Sequence, residues 1–153
     1  MRIGIVDTMF SRLPMGEFAI SELKKFKDVK LIRRTVPGIK DLPVESLNLI
    51  KKEKCAIVLA CGWIGKEPVD KICGHEASLG IQQAQLMTGK HILEAVVHED
   101  ECRNPKDLYQ LAENRVRKHA LNAYYLIKNP KWLERRAGMG ERQGRPNAGR
   151  LRF

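Results

Sequence analysis

Four stretches of the chain carry groups that stack on flat rings, move protons or bind hydroxyls, and each directly follows a short apolar run. They are Asp7-Thr8-Met9-Phe10, Val36-Pro37-Gly38-Ile39-Lys40-Asp41, Gly62-Trp63-Ile64-Gly65-Lys66 and His98-Glu99-Asp100-Glu101. Phe10 reads as a core residue of its loop or as a ring that stacks on a heterocycle. Pro37-Gly38 is first a turn, because glycine tolerates positive φ, and second a piece of backbone that a ligand can approach closely. Asp41 suits a helix N-cap, and an ionised carboxylate there also accepts hydrogen bonds from hydroxyls. Gly62 to Lys66 mimics a phosphate loop, but its glycines are too close and no Ser or Thr follows Lys66, which excludes a nucleotide triphosphate site. His75 beside Glu76 is expected at the start of a helix on the same rim, where an imidazole carries protons near neutral pH. The run from His98 to Glu101 is a solvated charge cluster, a general base or a divalent-cation ligand. Arg115 and His119 are four residues apart and share a helical face, the usual pattern of a wet surface.

The elements that must position these groups alternate between two periodicities. Residues 2–6, 29–35, 55–61 and 91–97 are short runs of β-branched or apolar residues bounded by turn chemistry, and predict four strands. Between them, Met15, Phe18, Ala19, Leu23 and Phe26 form one helical stripe, with Pro14 suited to a first turn. Val44, Leu47 and Ile50 begin a second helix, opened by Asp41 and Pro43. A third is expected from about His75 to Met87, ending at Thr88-Gly89. Leu108, Leu111, Ala112, Val116, Ala120, Ala123 and Ile127 keep one face of a fourth. Strands separated by helices in this way run parallel, with right-handed crossovers placing helices on both faces. The expectation is a three-layer αβα fold with a four-stranded parallel sheet. Ligands of such sheets bind outside the carboxyl ends of the strands, where strand order reverses. All four chemistry-bearing stretches fall on that edge.

Composition narrows the classes. A hydrophobic fraction of 43% over 153 residues fits one globular domain. No run reaches the roughly 20 apolar residues that span a bilayer, and residues 1–7 turn acidic too early for a signal peptide. A cytoplasmic protein without membrane contact is expected. Cys55, Cys61, Cys73 and Cys102 have no metal-type spacing and read as small apolar residues. The net charge of +10 invites a nucleic-acid partner, but residues 131–153 hold seven Lys or Arg and two Glu, half the total. That segment is glycine-rich and reads as a basic tail on a 1–130 domain, and no nucleic-acid motif accompanies it.

The segment Thr35-Val36-Pro37-Gly38-Ile39-Lys40-Asp41-Leu42-Pro43 resembles one found after the second strand of lumazine synthases. The whole of residues 2–127 is similar to that family, and closer to its sister group, the archaeal riboflavin synthases. Further matching stretches are Gly4-Ile5-Val6-Asp7-Thr8 with Phe10, residues 69–80 with Lys71, Cys73 and His75-Glu76-Ala77-Ser78-Leu79-Gly80, and Ala84-Gln85-Leu86-Met87-Thr88. Val97-His98-Glu99-Asp100-Glu101 and residues 134–144 complete the likeness. The resemblance implies a lumazine-synthase-like fold and a dismutation of two molecules of 6,7-dimethyl-8-ribityllumazine to riboflavin and 5-amino-6-(D-ribitylamino)uracil. It implies a homo-oligomer, a pentamer with active sites between subunits. It calls for no organic cofactor and allows Mg2+ or another divalent cation. Among the residues, it makes Phe10 the stacking surface and places Thr8 and the backbone of Pro37, Gly38 and Ile39 on the pyrimidine edge. Asp41 stands where the family has a ribityl-binding Glu. His75 with Glu76 leads the proton-transfer candidates, followed by His98 and Glu99. Gly62, Trp63, Lys66, Arg115 and His119 complete the expected substrate-binding set. The alternative is lumazine synthase itself, which condenses the aminouracil with 3,4-dihydroxy-2-butanone 4-phosphate. Against it, the glycine-containing phosphate grip near the family's last helix is replaced here by Ala112-Glu113-Asn114-Arg115-Val116-Arg117-Lys118.

Overall fold

A computed structural model describes residues 1–152; Phe153, the last residue of the expected tail, lies outside the described residues. The elements follow in the order β1 (Arg2–Thr8), α1 (Met15–Leu23), β2 (Lys30–Val36), a 3-10 turn (Ile39–Asp41), α2 (Leu42–Lys51), β3 (Ile57–Ile64), α3 (Pro68–Thr88), β4 (Ile92–His98), α4 (Pro105–Lys128) and α5 (Pro130–Glu134). The four strands form one parallel sheet in the order β2-β1-β3-β4. The expected three-layer α/β architecture is thus the one observed.

Burial explains the strand sequences. β3 is buried along its whole length and β1 from Ile3 onward, because helices cover both faces, and their sequences are continuous apolar runs rather than alternating ones. On one face Ile3, Ile5, Leu59 and Trp63 pack with Leu23 of α1 and Leu111, Val116 and Ala123 of α4. On the other, Val6, Val58 and Ala60 meet Leu42, Leu49 and Ile50 of α2 and Ile81 and Ala84 of α3. α3 lies close to the sheet because Gly74 faces Ile64: a Cβ there would stand 2.3 Å from Ile64 Cδ1.

Every strand runs past its expected end, to Thr8, Val36, Ile64 and His98, and three differences bear on the site. β3 continues to Ile64, since Gly62, Trp63 and Ile64 pair with Val96, Val97 and His98 of β4. Gly62 and Trp63 are therefore strand residues, not loop residues. α3 starts at Pro68, not at His75, which sits two turns inside it. The start is fixed by Pro68 at the first position and by Asp70, whose carboxylate accepts the Glu67 N–H at 3.2 Å. The third difference is α5, a short helix inside the segment expected to be an irregular tail.

At the carboxyl end of β1 a buried carboxylate ties three elements together. Asp7 accepts hydrogen bonds from Arg33 Nη2 at 2.6 Å and Thr35 Oγ1 at 2.7 Å, both on β2, and from the Gly16 N–H of α1 at 3.1 Å. Asp7→Ala leaves Arg33, a third exposed, with only its 3.7 Å pair to Glu17 and removes the acceptor of Thr35 and of the Gly16 N–H, and is expected to cost about 2 kcal/mol. Urea unfolding with an unshifted midpoint would count Asp7 out as a tie.

Candidate active site

The chain runs outward from β1 through α1 to β2, then returns past β1 through α2 to β3, so strand order reverses between β1 and β3. Two cavities open at the carboxyl ends on either side of that point. The first, of about 410 Å³, lies between Phe10, the 37–41 loop and the end of β3 at Trp63, Ile64 and Gly65. The second, of about 470 Å³, lies between Arg12, Lys66, the loop after β4 and the start of α4. Trp63 lines both.

The first cavity brings together six of the residues singled out in the sequence: Phe10, Pro37, Gly38, Ile39, Asp41 and Trp63. Phe10 is 55% exposed, so it is not a core residue. The backbone around it is held in place, with Met9 N–H bonded to Val36 O at 2.9 Å and Phe10 N–H to Pro37 O at 3.3 Å. Asp41 does not cap α2 through its side chain. Its carboxylate accepts the Gly38 N–H at 3.2 Å instead and closes the loop on itself. Thr8 is buried at the end of β1, and its Oγ1 has no partner; the indole N–H of Trp63 is unpartnered as well. The two do not form one polar cluster: Trp63 packs among the residues of the α1 and α4 face, and Thr8, expected at the ligand's edge, does not line the cavity. Gly62 lies beneath the cavity, facing Ile39 and Leu42.

Other expected site residues stand apart. His75 and Glu76 are exposed on α3, and neither lines a cavity. Glu76 is linked to the first cavity by its ion pair with Lys40 at 2.5 Å. Glu99 and Lys66 line the second cavity, and the Glu99 N–H extends the sheet by bonding Ile64 O at 2.8 Å. Arg115 and His119 line neither. The Arg115 guanidinium binds Glu101 in a two-pronged pair at 2.6 and 2.8 Å and also donates to Val96 O and Gln143 O. Burial, and then the neighbouring Arg115 charge, pull the His119 imidazole down to about 4, so it is neutral at physiological pH. For Glu101, burial raises the pKa, but the hydrogen bonds from Arg115 and the His98 N–H outweigh it and bring it to about 2.

Cys73, Asp70 and Lys40 also line the first cavity; of these the sequence reading missed Cys73 and Asp70. A helix drawn from Pro68 would have put both on its first two turns, facing the 37–41 loop. The acidic run after β4 does not fit a divalent cation. Glu99 is paired with Arg12, Asp100 with Lys71, and Glu101 with Arg115 and Arg145. Among the described residues no group of three or more His, Cys, Asp or Glu is placed to hold a metal ion.

Comparison with known proteins shows what this arrangement is similar to. The sequence model of 6,7-dimethyl-8-ribityllumazine synthase matches residues 1–131. The chain is 55% identical over 152 residues to riboflavin synthase of Methanothermobacter thermautotrophicus, covering 99% of both chains. It is 54% identical to riboflavin synthase of Methanothermobacter marburgensis over the same length, again with 99% of both chains covered. Riboflavin synthase of Archaeoglobus fulgidus is 47% identical over 149 residues, 97% of each chain. The family model stops near α5, whereas the likeness to these relatives continues through the basic segment.

Because Phe10 is exposed and anchored only through its backbone, Phe10→Ala is expected to leave stability within about 0.5 kcal/mol. Its affinity for a ribityl-lumazine should fall by about tenfold through loss of ring stacking. Fluorescence titration reads the affinity; unchanged binding would take Phe10 out of the site.

Proposed function

We propose that this chain, which belongs to the 6,7-dimethyl-8-ribityllumazine synthase family, is a riboflavin synthase. It takes two molecules of 6,7-dimethyl-8-ribityllumazine and moves a four-carbon unit from one to the other. The products are riboflavin and 5-amino-6-(D-ribitylamino)uracil. The atoms of the two substrates account for both products, so no organic cofactor is called for. The carboxylates after β4 are neutralised by their own Arg and Lys partners, so no step is routed through a divalent cation.

The observation that carries this reading is the convergence of Phe10, the 37–41 loop and the end of β3 around one cavity at the reversal of strand order. Phe10 supplies a stacking face for a flat bicyclic ring. The backbone at Pro37, Gly38 and Ile39 meets the polar edge of the ring. Asp41 accepts from ribityl hydroxyls. Holding two rings face to face is chiefly a matter of positioning, which a preformed slot supplies. The reaction begins with loss of a proton from the methyl on carbon 7, whose carbanion is delocalised over the heterocycle. A base of near-neutral pKa is therefore sufficient. Lumazine synthase is not favoured, because the relatives covering nearly the whole chain are named riboflavin synthase.

Family membership implies an oligomer, and we take it to be a pentamer with sites between subunits, working in the cytoplasm. α3 supports the interface, because Val69, Ile72, Leu79 and Leu86 leave its outer side apolar and exposed. His75 lies on that side, between Ile72 and Leu79 in the helical repeat, and becomes a proton carrier for the reaction only when a neighbouring copy closes over it. Among the described residues no helix is long and apolar enough to cross a membrane.

The purified chain given the lumazine alone should produce riboflavin fluorescence, and production only with the aminouracil and butanone phosphate would overturn the assignment. His75→Ala should lower turnover at least tenfold with little change in KM; wild-type turnover would remove His75 from the mechanism. Light scattering should report an assembly, and a particle of 17.5 kDa would remove the shared sites.

A further inference from the structure

The segment beyond α5 is folded back onto α4. Gly140 and Ala148 close it into a loop, with the Ala148 N–H bonded to Gly140 O at 2.8 Å. Three consecutive residues of this loop dock on α4 and its surroundings. Arg142 O accepts from Lys118 Nζ at 2.8 Å, Gln143 O accepts from Arg115 Nε at 3.2 Å, and the Gly144 N–H donates to Asn114 Oδ1 at 2.9 Å. Gly144 has φ +82°, and a Cβ on it would stand 2.9 Å from Arg115 Nε. The loop thus lies directly on the arginine, at a backbone angle that side chains rarely adopt.

Arg115 passes this contact on. Its guanidinium holds both oxygens of Glu101, and Glu101 Oε1 in turn accepts the His98 N–H at 3.0 Å. Arg145, the next residue of the folded-back loop, reaches Glu101 Oε2 at 3.3 Å. The backbone from His98 to Asn104 is therefore clamped at Glu101 from two directions. Glu99, Asp100, Cys102, Arg103 and Asn104 form one wall of the second cavity, whose opposite wall includes Trp63 of the first.

We propose that residues 140–148 are a strap and Arg115 a positioning residue, which together hold the 98–104 loop, and with it the wall beside Trp63, in the arrangement that turnover requires. The strap acts through two backbone carbonyls, one backbone N–H and one arginine, so the net charge of the tail is incidental to it. The dependence of turnover rests on the riboflavin synthase reading, whereas the clamping of the loop does not.

The test compares the full chain with a chain ending at Gly138, and with Gly144→Ala and Arg145→Ala; Arg150→Ala serves as a control that removes equal charge away from the clamp. Hydrogen exchange of the 98–104 amides should speed up at least tenfold in the first three and not in the control. Lumazine turnover should fall at least tenfold in kcat for the truncated chain, and a synthetic 139–153 peptide added in trans should restore part of it. Wild-type exchange in the truncated chain, or equal effects from Arg145→Ala and Arg150→Ala, would overturn the strap. Loosened exchange with full turnover would overturn its role in the reaction. If the unaltered chain makes no riboflavin, the functional reading fails, and exchange alone decides the strap. Gly144→Ala keeps the question open to measurement if the truncated chain does not fold.

Discussion

The parallel pairing of β1 with β2 on one side and β3 on the other is the constraint from which the site follows. Four parallel strands point every carboxyl end to one edge of the sheet, so the chemistry-bearing residues that follow them must gather there. Reversal of direction after β1 then splits the loops. α1 and α4 cover one face, α2 and α3 the other, and the gap between the ends of β1 and β3 is left for a ligand. Asp7 reinforces that geometry by fixing β1, β2 and the start of α1 at one carboxylate. Phe10 three residues later is carried into the gap without being part of any core.

Trp63 gives the rim its division into two chambers. It is buried on β3, among the residues of the α1 and α4 face, yet it borders space on both sides. The first chamber is lined by backbone and apolar groups around a few polar atoms, the character of a site that grips a flat heterocycle. The second is lined by Glu99 and Asp100, each paired with a basic side chain of the same chain, and by Lys66 and Arg103, for which no carboxylate stands within ion-pair distance among the described residues. A carboxylate held by a guanidinium at the far end of its titration range is a poor base and a poor metal ligand, but a good anchor. The density of acidic residues after β4 therefore serves architecture more than chemistry.

Most of the fold was legible in the sequence, because each strand was a short apolar run and each helix kept one apolar face. The candidate site was legible where it lies on loop backbone, as at Pro37, Gly38 and Ile39, and on an exposed ring outside any helical stripe, as at Phe10. Legibility failed at β3 and α3. Gly62, Trp63, Ile64 and Gly65 looked like a loop because two glycines usually break a strand, yet pairing with β4 on one side carried the strand through Ile64. The start signal of Glu67, Pro68 and Asp70 lies before the residues assigned to the third helix, which placed His75 at a terminus it does not occupy. Its position two turns inside α3, exposed and flanked by Ile72 and Leu79, follows once the helix is drawn from Pro68. The pairing of Arg115 with Glu101 was equally out of reach, since nothing in local spacing links α4 to the loop before it.

The basic segment shows how charge misleads when it is counted without geometry. Half of the net charge lies beyond residue 130, which on composition alone suggests a polyanionic partner. In the folded chain, Arg142 and Gln143 dock through carbonyl oxygens, Gly144 through an amide, and Arg145 through a carboxylate on the same subunit. Those contacts depend on chain direction and on a left-handed glycine, features that a nucleic acid would not select for. Continuation of the likeness to the riboflavin synthases through this segment, past the end of the family model, fits a strap that belongs to the enzyme.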